Sequence, residues 1–140
     1  MKHLKKFNES LDKVAALEVY RKKQLEELQE YCEMNLAYLI DEGFFMDISL
    51  HGGTYIIILR KSLTTNQHGV HTSYFKWDDI KDHYIPFIQR IKNTYKLSSD
   101  YINFTSNSMD LISYPYYKLD DINVYWDLSR ITFKIEEYSV

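Results

Sequence analysis

The chain has 140 residues, 45% of them apolar, and a net charge of −3, which fits one domain with its own core and no need of a disulfide or metal staple. That mild balance gives no general attraction to nucleic acid or anionic lipid, and a single cysteine forbids an intramolecular disulfide. The longest apolar run, residues 55–59, is too short to cross a bilayer, and residues 1–10 lack a signal-peptide pattern, so the expected location is the cytoplasm (of a host cell if the protein is viral).

Residues 1–9 read as a basic arm, with Lys2, His3, Lys5 and Lys6 ahead of Phe7, and Asn8 or Ser10 offers an N-cap. A long helix is expected over residues 10–42, stopping at Gly43, the residue type that helix C-termini favour. Leu25, Leu28, Cys32, Leu36 and Leu39 step by three or four and make one apolar face. Leu11 and Val14 fit the front of that stripe, but Glu18 and Arg21 fall where it should continue. As one rod, residues 11–42 would be about 48 Å long, against a radius of gyration of about 14 Å for a compact chain of this size. The helix therefore either breaks near Glu18 to Arg21 or sends its front beyond the domain. No glycine or proline lies between Asn8 and Glu42 to make the break. That favours a front half paired with a second copy or another partner, with Leu11 and Val14 as the oligomer contact.

After Gly43 the sequence alternates, with Phe44, Met46, Ile48 and Leu50 against Phe45, Asp47 and Ser49. His51, Gly52 and Gly53 then turn the chain into a second strand over residues 54–61, a hairpin whose glycines supply positive φ. The second strand is apolar on both faces, so it belongs inside the sheet. Residues 62–73 read as a polar loop. A second helix is announced by Asp78, Asp79 and Asp82 and closed by Arg90, Lys92 and Lys96, charges that suit the macrodipole. Its buried face is Trp77, Ile80, Tyr84, Phe87, Ile88, Ile91 and Tyr95, and Pro86 should kink or divide it. Strands are expected over 101–105, 122–126 and 129–138, with Tyr114, Pro115, Tyr116 and Tyr117 on a sheet edge. The fold class is α+β: a mostly antiparallel sheet of four to five strands, two helices packed on one face, and a long N-terminal helix.

No stretch makes a catalytic or cofactor motif, and no cofactor is expected. His68 and His71 form the one close histidine pair, without the cysteine or further ligand that a metal site wants, so no metal is expected there. His71-Thr72-Ser73 matches only half of the two-element pattern of a small phosphoesterase. Cys32 lies on the buried helix face without a basic neighbour and reads as core. The acid pairs Asp78-Asp79 and Asp120-Asp121 read as a helix start and a turn before a strand. Aromatic residues crowd the second half, where Tyr114, Tyr116 and Tyr117 are candidates for a binding surface because tyrosine gives contact area at low entropy cost. The loop from His68 to Trp77 offers His68, His71, Tyr74 and Trp77 as the lining of a pocket.

Residues 1–10 resemble the starts of small proteins of large tailed bacteriophages, and residues 36–44 and 75–82 have the same character. The resemblance implies a viral origin and brings no active site with it. The leading expectation is a non-enzymatic interaction or assembly protein whose partner is another protein or a second copy, as in a homodimer. The alternative is an anti-defence protein that captures a small nucleotide or blocks a host enzyme, and a small phosphoesterase or nuclease comes third. Nucleic acid and membrane are not expected partners.

Overall fold

In the computed structural model the backbone is described for residues 2–61, 63–66 and 69–137, and the side chains for residues 13–61 and 73–137. Helix α1 spans Lys2–Asn35 and a short helix α2 spans Ala37–Asp41. The helix takes in the segment read as a basic arm, because lysine, leucine and glutamate are helix formers and nothing there breaks the pattern. It also passes Glu18 to Arg21 without a break. The interruption comes instead at Leu36 (φ −116°, ψ 26°), so the helix expected over 10–42 is two helices. The interruption is one residue deep. The Leu36 N–H still donates to the Cys32 carbonyl at 3.1 Å, and the Ile40 N–H to the Leu36 carbonyl at 3.0 Å. Gly43, at φ 96°, closes the helical segment as its position suggests.

The chain divides into two compact units, Met1–Tyr31 and Cys32–Val140. The second holds a five-stranded antiparallel sheet in the order β1-β2-β7-β5-β6, and the fold is α+β. Strands β1 (Phe44–His51) and β2 (Thr54–Lys61) form the expected hairpin, with Ile48 opposite Ile57. Strand β7 (Leu128–Glu136) runs beside β2, placing Phe133 opposite Ile57. Strands β5 (Tyr101–Ser106) and β6 (Leu111–Pro115) complete the sheet, and β6 ends on Pro115 at the edge, where a residue without an N–H does least harm.

Helix α3 (Trp77–Thr94) lies on the sheet face that carries Tyr55, Ile57, Leu59, Phe104 and Phe133, all buried. Phe87 meets Phe133 with ring centroids 5.7 Å apart, and Trp77 meets Phe104 at 5.1 Å. The helix runs through Pro86 undivided, although proline has no N–H to donate to the carbonyl four residues back. Leu36, Leu39, Ile57, Ile88 and Phe133 are all buried.

Two further expectations are corrected. Residues 62–73 are not a simple loop: β3 (Leu63–Asn66) and β4 (Gly69–Thr72) pair as a separate two-stranded sheet. Thr64, Thr65, Val70 and Thr72 are β-branched and favour strands even in a polar segment. Residues 122–126 are not a strand. A 3-10 helix (Tyr116–Asp121) puts the Asp120-Asp121 pair at its end, and an irregular connection to β7 follows. Position 138 of the expected last strand lies outside the described residues.

The β1–β2 turn yields a first prediction. Gly52 and Gly53 sit at φ 56° and 80°, and nothing lies within 4 Å of a Cβ built on Gly53. Any cost of Gly53→Ala is therefore conformational, about 1–2 kcal/mol. Urea unfolding measures it, and an unchanged midpoint would mean that the turn relaxes to another type.

Candidate functional site

Between β4 and α3 the backbone alternates its side chains. Phe75 is buried because its N–H and C=O both bond to Leu128, at 3.0 and 2.7 Å. That clamp leaves Tyr74 and Lys76 exposed on either side of it and turns Trp77 inward. The Lys76 ammonium is held by Asp127 Oδ1 and by the Tyr125 carbonyl, each at 3.2 Å.

Tyr74, Phe75 and Lys76 form one side of an open cleft of 320 Å³. Tyr38, Leu39 and Glu42 come from the α2 segment, Phe44 from β1, Lys61 from the end of β2, Asp79 and Ile80 from α3, and Asp127 from the approach to β7. The buried Leu39, Phe44, Phe75 and Ile80 contribute its apolar part. Phe44 and Phe75 meet edge-on at 5.1 Å, and Lys61 Nζ lies 5.7 Å from the centroid of the Phe44 ring. The Tyr38 ring stacks on His83 at 4.3 Å. The cleft thus offers aromatic surface beside three carboxylates and two lysines, one of the lysines already neutralised. Its volume is at the low end of the range for small-ligand pockets, roughly 300–1,000 Å³.

Of the residues singled out from the sequence, Tyr74 lines this cleft. Trp77 does not: it is fully buried, its ring edge-on to Phe104 and to Tyr84, because the Trp77, Ile80, Tyr84 stripe turns it to the core. Tyr114 is half-buried and also meets Phe104, at 5.4 Å. Tyr116 and Tyr117 border a smaller hollow of 120 Å³ with Ile88, Lys92 and Leu119, where Lys92 Nζ stands 4.9 Å from the Tyr116 ring centroid. The structure therefore separates Tyr116 and Tyr117 from Tyr74. His68 lies outside the described residues. His71 is on β4 and Leu11 on α1, with side chains outside the described set, and Val14 is exposed. Tyr38, Lys61, Asp79 and Asp127 were not found from the sequence, since they reach the cleft from four distant segments.

Cys32 is buried, and burial, followed by the negative charge of Glu33, pushes its thiol up to about 12. It stays protonated and is no nucleophile at neutral pH. Among the described residues no group of three His, Cys, Asp or Glu side chains is placed to hold a metal ion, and no helix is long and apolar enough to cross a membrane.

A second surface belongs to α1. Residues 13–23 are exposed without exception, and Val14, Leu17, Val19 and Tyr20 are among them. No protein family, curated protein or solved structure matches the chain.

Proposed function

We propose that this protein is a non-enzymatic interaction or assembly protein, and that α1 is the element it offers to another protein chain, a second copy included. The exposure of residues 13–23 carries the reading. A helix in water draws most of its stability from burying one face against something, and a bare one is marginal. Val14, Leu17 and Tyr20 step by three along this stretch, a stripe of the kind a partner helix covers. A bacteriophage origin, implied by the opening residues, belongs to the same proposal.

Nucleotide capture has one observation in its favour, the presence of Tyr74, Phe75 and Lys76 in the cleft. The charges there weigh against it. A phosphate would meet Glu42, Asp79 and Asp127, with Lys61 as the one lysine of the two without a carboxylate partner among the described residues.

Light scattering after size exclusion, on the purified full chain across micromolar concentrations, tests the proposal. We expect a mass above that of one chain, or a stoichiometric protein partner retained from the cells that make it. Leu17→Lys with Tyr20→Lys should abolish either association and leave the cooperative unfolding of the sheet in place. A single-chain mass with no retained protein would defeat this reading, and a retained nucleotide would transfer the assignment to the cleft.

A further inference from the structure

We propose that the open face of the five-stranded sheet is a second docking surface, and that its occupant is an acidic amphipathic helix of a partner protein. The inference rests on the reading of the chain as an interaction protein but uses a surface remote in sequence from residues 13–23. Alternation along β2 sends Tyr55, Ile57 and Leu59 into the core beneath α3 and leaves Ile56 and Ile58 on the opposite face, both half-buried. The register sets Ile56 between Ser49 and Lys134, and Ile58 between Asp47 and Thr132. Strands apolar on both faces are normally covered on both, whereas a solvated face carries polar residues at these positions. The two isoleucines are therefore out of place on a finished surface.

Charge selects the occupant. Lys134 is exposed and Arg130 half-buried on this face, and neither has an ion pair among the described residues. Arg60 is paired with Asp47 and lies 5.3 Å from the Phe45 ring centroid. The apolar centre is thus bordered on β7 by two cations without an ion pair among the described residues, and Glu136, the carboxylate on the same face, is engaged by Lys96. Two residues apart on a strand are about 6.8 Å apart, close to the rise of about 6 Å between residues four apart on a helix. A helix with apolar side chains at that spacing matches Ile56 and Ile58, and carboxylates on its flank meet Arg130 and Lys134. A single nucleic acid strand would want a succession of free ring faces. Here the Phe45 ring is occupied by Arg60, and Tyr101 stands at the end of its strand.

The test is an NMR titration of the full ¹⁵N-labelled chain with three probes. One is a stapled helical peptide with leucines at three- and four-residue spacing and glutamates on its flanks. The second replaces each glutamate by lysine, and the third is a 12-nucleotide oligouridine. The acidic peptide should shift the amides of Ile56, Ile58 and Thr132 saturably, and Arg130→Glu with Lys134→Glu should weaken it by about tenfold or more. If that pair of changes unfolds the chain, Lys134→Glu alone, at an exposed position, should still weaken it. Absence of shifts on this face, equal binding of the lysine peptide, or a response to oligouridine alone would each overturn the proposal. A null result here leaves association through α1, read from the mass of the chain, untouched. A monomer that still binds the acidic peptide does the reverse.

Discussion

Trp77→Ala will lower the free energy of unfolding by about 3–5 kcal/mol, the range for removing a large aromatic side chain from a core. Trp77 is fully buried and opens α3, so its indole fixes where that helix lands on the sheet. Its ring meets Phe104 at 5.1 Å and Tyr84 at 5.9 Å, both edge-on, and each such pair adds about 0.5–1.5 kcal/mol beyond the area it buries. Nε1 has no hydrogen-bond partner among the described residues, so the cost read there is packing and cavity. Urea unfolding reads it directly, and a loss below about 1 kcal/mol would mean that the core closes over the gap or that the indole is not where the fold requires it.

The second large effect is alkaline. In the unfolded chain the Cys32 thiol titrates at its ordinary 9.0, and in the folded chain at about 12, mainly because it is buried and secondarily because Glu33 is near. The folded state therefore keeps a proton that the unfolded state has released. Stability is intact below pH 9 and falls as pH rises from 9 towards 12, by up to about 1.4 kcal/mol per unit. Tyr84, raised above its ordinary 10 by burial and then by Cys32, steepens the loss from the upper part of that window. Cys32→Ala removes the thiol contribution, so its stability should decline less steeply between pH 9 and pH 11 than that of the native chain. Parallel slopes for the two proteins would show that Cys32 ionises as freely folded as unfolded.

What was legible in the sequence was what one segment decides by itself. Residues 44–50 alternate, residues 54–61 are rich in β-branched residues, and two glycines turn the chain between them, so strands and turn follow from local chemistry. The core faces of α2 and α3 follow from three- and four-residue steps. The β3–β4 pair escaped because Thr64, Thr65 and Asn66 are polar and no core face marks them. The interruption at Leu36 has no glycine or proline to announce it. Trp77 was read both as core and as pocket lining, and burial decides for core. Ile56 and Ile58 were read as belonging to a strand inside the sheet, because that strand is apolar on both faces. The strand is interior as expected, but Ile56 and Ile58 on one of its faces are only half-buried, and no single segment states which layers a fold contains. The cleft was legible only through Tyr74, since convergence of Tyr38, Lys61, Asp79 and Asp127 is tertiary.

Strand β7 follows the other four strands of its sheet in sequence and lies third in that sheet, between β2 and β5. During synthesis the β1–β2 and β5–β6 hairpins both leave the ribosome before the strand that joins them. Until residues 128–136 emerge, β2 and β5 each lack the neighbour that will complete their hydrogen bonding, and such bare strands recruit other chains. Pairing Ile57 with Phe133 also closes a long loop, which slows folding. The sheet is therefore assembled after translation of β7 rather than alongside it. A product halted before residue 128 would carry most of the sequence, possess none of the joined sheet, and be a ready substrate for proteases.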